Sequence, residues 1–561
     1  MKGTIKKSNT RGGGDNKPKK SSAPGRKNEL PDLITDRANR CYNYIVIFCL
    51  AVIPLLVHTK ILRFIAPKFS DGDAATGLHY DTFSYYKWIG LILASVFAVI
   101  LLIIKMTAGK YRLKPGYINL PLLLLVLLLL ISLFTAQYKA VALYGLYCQL
   151  EGVLTYLCYF ALLFCLSNGN FDFNIGKYIN ICLTAVVLAN TVVSVSFFFG
   201  CNFGENPIVL ALMKPFSVKE NLTMQLSTLL ANPNYSSGFS AAACSYFYAM
   251  SLAEDRKRER ILAALMSFIS FMAVLASVSS SGFFTLLLVL PAVSILTLVK
   301  VRKLSAVKVM AANAVLYVLM LCLFIFSSHK VFNETMGTVP QMVKAVLEHE
   351  ELLPTHGVYN EPVEAGSQTA KAVSGEGELS GKPPASTGQL PEFDLPQPGV
   401  SAGSGRLYIW KHTARLILQK PFLGYGMDTI AYYFPQYDRD KIANLDSYSQ
   451  MLSKPHSLYL AVAFGAGIPA LAVLLLLFIL HFISSLRGML AEKEAGLFRL
   501  RLALLAFYIA FLIQWLFNDS ILGTSAIFWV LTGIAASLNY NYEKEMRSKM
   551  NYGEDKSYAG K

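Results

Sequence analysis

The stretch Ile118–Ala136, INLPLLLLVLLLLISLFTA, decides the class of fold. It contains no charged side chain and approaches the roughly 20 residues that an α-helix needs to cross about 30 Å of hydrocarbon. Trp88–Ile104 and Leu471–Ile483 have the same character. The whole chain has 54% hydrophobic and 15% charged residues, whereas soluble domains carry about 25% charged residues. These runs predict an all-α polytopic membrane protein.

The net charge of +16 is distributed in a way that fits membrane orientation. A basic head rich in Gly, Ser and Pro precedes the first apolar run. Short clusters of Lys and Arg follow the later runs, near 105–114, 256–260, 300–308 and 487–501. Short cytoplasmic loops of membrane proteins collect Lys and Arg. The pattern therefore predicts membrane lipids as partners and no nucleic acid.

Apolar runs and basic clusters together predict about 12 transmembrane helices in the plasma membrane. Both termini are predicted to be cytoplasmic, with a large extracytoplasmic loop between spans 9 and 10. The predicted spans lie near 43–64, 87–105, 117–135, 152–167, 179–200, 236–253, 261–279, 283–299, 308–328, 458–484, 502–518 and 523–540.

The predicted extracytoplasmic loop has a flexible first part and an ordered second part. A disordered basic head precedes spans 1–9, and spans 10–12 precede a cytoplasmic tail. In the loop between them, a segment rich in Pro, Gly, Ser and Glu predicts a flexible insert. The segment after it predicts an ordered region that starts with an amphipathic helix and stops at Pro421. The boundaries are 1–42, 43–328, 329–457 with the insert at about 350–404 and the ordered part at 405–457, 458–540 and 541–561.

Motifs of soluble enzymes are absent from the sequence: it has no Walker loop, no GxSxG, no HExxH and no GxGxxG before a helix. The nine cysteines lie mainly in apolar runs and form no CxxC pair, and the possible metal ligands are scattered. The sequence therefore predicts neither a metal site nor a cofactor. The polar residues of interest gather at the predicted outer membrane boundary.

His456 lies just before the tenth predicted span. An imidazole there can remove a proton from an acceptor at neutral pH, although a histidine can also simply anchor a helix end. Arg406, Lys454 and Arg415 flank it in sequence. Guanidinium groups bind phosphate oxygens bidentately, which suits a diphosphate leaving group. The alternative for Arg415 is a side chain that extends along an interfacial helix towards water.

Three further polar features lie at predicted outer span ends. Asn232–Asn234 precedes span six, Asn518–Ser520 separates spans eleven and twelve, and Glu151 opens span four. Asn and Pro are also common in ordinary turns. A carboxylate at the membrane boundary is costly only if it is drawn inward. Position alone leaves the functional and the structural interpretation open.

The sequence resembles the O-antigen ligase/polymerase family, the WaaL/Wzy-C group, and is most similar to its Gram-positive branch. The resemblance is carried by GRLYIWKHTARLILQKPFLGYGMDTIAYYFPQ (405–436) and KPHSLYLAVAFGAGIPALAVLLLLF (454–478). The family shows Gly-Arg, a Trp, Pro-x-x-Gly-x-Gly, and then His-Asn-x-Tyr-Leu with a following Gly. The matching positions are Gly405–Arg406, Trp410, Pro421, Gly424, Gly426, His456–Leu460, Gly465 and Gly467.

The resemblance implies transfer of a glycan from an undecaprenyl-pyrophosphate carrier to an acceptor at the outer face, without a metal. The partners would be a lipid-linked oligosaccharide donor and a glycan, lipid or protein acceptor. His456 would activate the acceptor, Arg406 would bind the diphosphate, and displacement at the anomeric carbon would invert its configuration. The other candidates for substrate binding are Lys454, Arg415, Trp410, Asn232, Asn234, Glu151 and Asp519.

The sequence departs from the family pattern near the end of span seven. The family has an Arg in a Ser/Thr-Arg-Ser/Gly motif there, and this chain has Ser279–Gly282, SSSG. Ser457 also replaces the Asn after the histidine. A polysaccharide or lipid-linked-glycan transporter, or an inactive family member that acts as an interaction protein, remains the alternative. Transporters place charged residues at mid-bilayer, and the spans here are nearly free of charge.

Overall fold

The computed structural model describes residues 29–64, 77–214, 225–301, 304–337, 405–436, 441, 445 and 451–558. The predicted head up to residue 28 and the predicted insert at 350–404 lie outside the described residues. Within them the fold is helical, apart from one two-stranded antiparallel sheet in which β1 (Lys60–Phe64) pairs with β2 (Gly77–Asp81). The prediction of an all-α polytopic membrane protein is confirmed.

The helices follow the predicted apolar runs in order. We number them α1 (Glu29–Ile47, continued as a π-helical turn and one more turn to Leu55), α2 (Tyr85–Thr107), α3 (Asn119–Thr135), α4 (Lys139–Tyr144), α5 (Val153–Ser167), α6 (Ile175–Phe198), α7 (Pro207–Met213), α8 (Pro233–Ala253), α9 (Lys257–Ala276), α10 (Ser280–Val301), α11 (Leu304–Ser327), α12 (His329–Phe332), α13 (Arg406–Gln419), α14 (Leu458–Ala491), α15 (Ala495–Phe517) and α16 (Leu522–Tyr558).

Nine of the described helices are long and apolar enough to cross a membrane. Many of their large apolar side chains face outward, such as Leu93, Leu288 and Phe326. Such contiguous exposure would be unfavourable in water and is expected against lipid. The chain is therefore a multi-pass membrane protein. The number of 12 crossings stays a prediction, because α3 and α5 are shorter apolar helices.

Helix α8 is a central helix whose hydropathy is modest because it is rich in small residues. Its sequence PNYSSGFSAAACSYFYAMSLA is rich in small residues, and nearly all of it is buried. It packs against α9, α10 and α15. Small residues let helix backbones approach closely inside a membrane bundle, so this helix contacts protein and not lipid.

The first helix differs from the predicted span at 43–64. The helix begins at Glu29, inside the predicted head, and ends at Leu55, and the chain then turns into β1. Pro31 in the first turn is compatible with a helix start, since the N–H that proline lacks would have no intrahelical partner there. The predicted end of this span, at residue 64, lies beyond the end of the helix, because hydropathy does not distinguish a helix from an apolar strand such as β1.

Helix α13 lies where the sequence predicts an amphipathic helix after residue 404, and its buried face is not simply the set of its apolar residues. Tyr408, Ile409 and Thr413 are buried, whereas Leu418 is 72% exposed. The helix packs against α14. Its orientation is fixed by that contact, and not by the simple apolar period of the sequence.

Candidate functional site

The candidate site is formed where three turns meet. Residues 453–457 precede α14, Asn518–Ser520 separates α15 from α16, and residues 145–152 precede α5. The Leu458 N–H donates to the Asn518 carbonyl over 3.1 Å, which joins the first two turns. His456 has a φ of 53°, a left-handed conformation that is uncommon for residues other than glycine. The predicted site residues around it come from distant parts of the chain.

His456 and Asp519 form the centre of this site. The Nδ1 atom of His456 lies 3.0 Å from Oδ2 of Asp519, and Oδ1 of Asp519 accepts the Ser457 N–H over 3.2 Å. The Asp519 side chain is 2% exposed and that of His456 is 44% exposed. The buried carboxylate thus holds one ring nitrogen of an imidazole that is still partly exposed.

The charge of Asp519 fixes the tautomer of His456. Burial by itself would raise the Asp519 pKa, but the His456 hydrogen bond and the charges of His456, Lys454 and Arg406 outweigh burial and lower it. Asp519 is therefore a carboxylate, which only accepts hydrogen bonds. The proton of neutral His456 must lie on Nδ1, which leaves Nε2 as the basic nitrogen.

Lys454 lies among three carboxyl groups. Its ammonium donates to the Ser520 carbonyl over 3.0 Å, and its charge acts on Glu151, Asp428 and Asp519. Burial raises the pKa of Glu151 to about 7 and that of Asp428 to about 6, and Lys454 opposes both shifts. Titration of these carboxyl groups near neutral pH changes how strongly they offset the charge of Lys454.

Arg406 begins α13 and approaches the same centre. Burial lowers the pKa of its guanidinium, and the nearby Asp519, Tyr235 and Glu334 counteract that shift. A guanidinium stays protonated in proteins at neutral pH, so the group is charged. Tyr235, at the start of α8, donates its hydroxyl to Oδ2 of Asp519 over 3.4 Å. The two residues predicted to be catalytic, His456 and Arg406, are therefore brought together around Asp519.

Two cavities adjoin Lys454. The larger one has a volume of about 190 Å³ and is lined by Lys87, Tyr235, Lys454, His456 and neighbouring residues. The smaller one, about 30 Å³, is lined by Glu151, Asp428, Lys454 and Asp519 among others. One water molecule needs about 10–15 Å³ of such cavity volume. The larger cavity therefore has room for a polar group of a substrate beside His456.

Trp410 positions the histidine turn and does not line either of these cavities. Its indole N–H donates to the Pro455 carbonyl over 3.0 Å, and its ring stacks against Phe517 at 6.4 Å. Both contacts connect α13 to the two turns that carry His456 and Asp519. The structure thus gives Trp410 a supporting contact, and its predicted role in substrate binding stays a prediction.

The glycine motif connects the segment after α13 to a break in α14. The Tyr425 and Gly426 N–H groups donate to the carbonyls of Phe464 and Gly465, each over 2.9 Å. Gly467 has a φ of 88°, and a Cβ there would lie 2.2 Å from the Phe422 carbonyl oxygen. Only glycine allows this close backbone contact. These glycines therefore hold the segment after α13 closely against α14, the helix that His456 precedes.

The remaining predicted residues lie further from His456. Asn232 is an exposed N-cap of α8, and its side chain accepts the Asn234 N–H over 2.8 Å. The Asn234 carbonyl accepts the Asn518 side-chain amide over 3.4 Å. Arg415 lies nine residues after Arg406 on α13, which is about 13 Å along a helix. Within the described residues no contact links Arg415 to the site.

The turn between α9 and α10, where the family has its arginine, contains neutral polar groups. The side-chain amide of Gln514 donates to the Ser281 carbonyl over 2.8 Å, and the Asn518 amide contacts the Ser281 hydroxyl at 3.4 Å. The Ser279 and Ser281 hydroxyls lie 3.2 Å apart. No cationic side chain of the described residues contacts this serine turn.

Sequence reasoning did not single out Asp428, Tyr235 or Lys87. Asp428 directly follows the Gly424-Tyr-Gly426-Met segment, and its carboxylate accepts the Leu146 N–H over 2.7 Å. Its place after the glycine motif was a usable signal. Tyr235 and Lys87 carry no such signal, because only the packing of α8 and α2 brings them to the cavity. Among the described residues, no cluster of three or more His, Cys, Asp or Glu could hold a metal ion.

Comparison with known proteins agrees with the family predicted from the motifs. Residues 265–475 match the family model Wzy_C, described as O-antigen ligase. No curated protein matches the chain. The matched segment includes Arg406 and His456, while Glu151, Asn232 and Asp519 lie outside it. Over residues 265–475 the chain is therefore similar to the O-antigen ligase family, which points in general to a membrane glycan ligase or polymerase.

Proposed function

We propose that this protein transfers a glycan from an undecaprenyl-diphosphate carrier to an acceptor hydroxyl at the outer membrane face, with both termini in the cytoplasm and without a metal ion. The observation that carries the proposal is the contact between His456 Nδ1 and the buried Asp519 carboxylate at 3.0 Å. It leaves His456 Nε2 as a base at the edge of a cavity with cationic side chains.

The proposed reaction is a direct displacement. His456 Nε2 takes the proton of the acceptor hydroxyl, and the acceptor oxygen forms a bond to the anomeric carbon of the donor glycan. The bond from that carbon to the diphosphate oxygen breaks, and its electron pair stays on the diphosphate. The anomeric configuration is inverted, because attack and departure take place on opposite faces.

The charges that develop in this step match the residues present. Asp519 stabilises the imidazolium that forms on His456, and Arg406 stabilises the negative charge on the diphosphate. Fixed groups of this kind contribute to catalysis because they need no reorganisation during the reaction. The base His456 and the cation Arg406 belong to one site, since the Asp519 carboxylate interacts electrostatically with both.

Reconstitution tests the proposal. Purified protein in liposomes would be given undecaprenyl-diphosphate-linked oligosaccharide, and longer or transferred glycan would be measured together with the released undecaprenyl diphosphate. We expect His456→Ala to lower the turnover rate roughly 10²- to 10⁴-fold. His329→Ala, in an exposed histidine after α11, is the matched control. Full activity of His456→Ala, or movement of intact donor across the bilayer without transfer, would contradict the proposal.

A further inference from the structure

Lys87 is a buried lysine that the reaction described above does not use. It lies in the first turn of α2 and is 2% exposed. It lines the cavity of about 190 Å³ together with His456 and Lys454. A lysine is very seldom fully buried unless its charge has partners, since removing an ammonium from water is costly.

The partners of Lys87 satisfy only part of its ammonium group. Its Nζ donates to the Leu229 carbonyl over 3.1 Å and lies 5.6 Å from the centre of the Phe83 ring. An ammonium has three protons to donate. Within the part of the chain that the structure describes, the bond to Leu229 is its one hydrogen bond. Donor capacity therefore remains at the cavity wall.

The charge of the larger cavity is positive. Its lining includes Lys87, Lys454 and His456 and contains no Asp or Glu. The charge of Lys454 is shared among Glu151, Asp428 and Asp519. Lys87 interacts with a single carboxyl group, that of Asp81. Lys87 therefore has fewer carboxyl partners than Lys454, and a ligand with negative charge, which would favour the protonated form of Lys87, fits this cavity.

The turn after α9 supplies no cation for the diphosphate of the proposed reaction. The turn at Ser279–Gly282 has no arginine, and its serines contact the neutral Gln514 and Asn518. A diphosphate carries at least two negative charges, so a second cation besides Arg406 would stabilise it.

We propose that Lys87 is the second cationic ligand of the donor diphosphate and supplies, from α2, the charge that the serine turn after α9 lacks. The inference rests on the proposed function, since the diphosphate is the leaving group of that reaction. Arg406 and Lys87 would hold the two phosphate groups, with Lys454 between the cavity and the three carboxyl groups.

A purely structural role for Lys87 provides the competing explanation. The ammonium would then serve only to hold the segment before α8 through Leu229. Lys105 offers a matched control, because it is on the same helix, is fully buried and lies at the opposite end. Its Nζ donates to Asn39 Oδ1 and the Asn168 carbonyl, each over 2.9 Å. A general effect of removing a buried lysine would appear in both variants.

The test measures donor binding without turnover. The His456→Ala protein in nanodiscs is the parent, and Lys87→Met, Lys87→Arg and Lys105→Met are added to it. The probe is undecaprenyl-diphosphate oligosaccharide, with inorganic pyrophosphate as competitor. We expect Lys87→Met to weaken both affinities roughly 10- to 100-fold, Lys87→Arg to recover part of the loss, and Lys105→Met to stay within about 3-fold.

The outcomes separate the inference from the proposed function. Parent-like binding by Lys87→Met, or equal losses in Lys87→Met and Lys105→Met, would overturn the role of Lys87 and leave the proposed function standing. A parent that binds no donor would overturn both. Should Lys87→Met fail to fold, the parent itself is labelled with an amine-reactive reagent. Pyrophosphate should then protect Lys87 and not Lys105, and unprotected Lys87 would refute the inference.

Discussion

The two ends of helix α15 both carry buried polar residues, but their hydrogen bonding differs. At one end, Arg501 donates to Glu492, to Asn539 and to the Leu538 carbonyl over 2.8–3.2 Å. At the other end, beside Asn518–Ser520, His456 uses one of its two ring nitrogens, and Oε2 of Glu151 has no partner within the described residues.

This difference in hydrogen bonding distinguishes a stabilising network from a candidate binding site. A satisfied network stabilises one arrangement, because its groups gain nothing from a further ligand. Unused donors and acceptors beside a cavity cost free energy unless a ligand or water completes them. The Arg501 end therefore fixes the bundle, while the His456 end keeps unused donors and acceptors beside a cavity, as the proposed binding of a charged substrate requires.

The largest expected effect within this comparison comes from Asp519→Asn. An Asn side chain can donate to His456 Nδ1, which would move the ring proton to Nε2 and remove the base. We expect the turnover rate to fall roughly 10²-fold or more, with a much smaller change in thermal stability. Steady-state rates and melting curves on the same preparation check this. Wild-type turnover would show that the Asp519 contact is only structural.

A paired change on α13 sharpens the assignment of the phosphate-binding cation. Arg406→Ala should lower kcat/KM roughly 10- to 100-fold, because it removes a charge-assisted contact near Asp519. Arg415→Ala removes the same group about two and a half turns away and should stay within about 3-fold of wild type. Initial rates over a range of donor concentrations measure both. Equal losses would contradict the different roles of the two arginines.

A change at the Arg501 end of α15 should lower the stability of the fold and leave the turnover rate nearly unchanged. Asn539→Leu removes the acceptor for Arg501 and the donor to Ser485, which costs roughly 1–3 kcal/mol. The melting temperature should fall, while kcat per folded molecule should stay within about 2-fold. Asn541→Leu is the control, since its one described contact is long, at 3.5 Å. A selective loss of kcat in Asn539→Leu would break the comparison.

Glu151 should give the stability of the protein a pH dependence. Burial raises its pKa from 4.5 to about 7, so the folded protein holds this proton more tightly than the unfolded chain. Stability from this group is present below pH 4.5 and is lost as the pH rises towards about 7. Glu151→Gln should lack this loss. Melting temperatures across this window test it, and parallel curves for the two proteins would refute it.

The sequence predicted the fold from features that act locally. Charge-free runs such as Ile118–Ala136 have one favourable environment, so helix α3 follows from composition alone. The helix at 406–419 followed from its spacing. The end of α1 and the buried face of α13 did not, because both depend on which partner surface the segment meets.

The candidate site was predicted in part. His456, Arg406 and Lys454 came from the motif near the end of the long loop, and Asp519 came from a polar turn at a span end. Asp428, Tyr235 and Lys87 were missed, since each lies on a separate element and has no local pattern that marks it. Glu151 was named for its position, while its contact with Tyr159 at 2.9 Å is a property of the folded chain.

The sequence by itself determined that this chain belongs in a membrane and which residue types lie at the ends of its helices. Both follow from free energies of transfer, which are properties of each segment. Only the tertiary structure decided which ends meet. It places Asp519 against His456 and brings Lys87 into the same cavity. Lys87 and His456, which line one cavity, are 369 positions apart in the chain, a separation over which no sequence period extends.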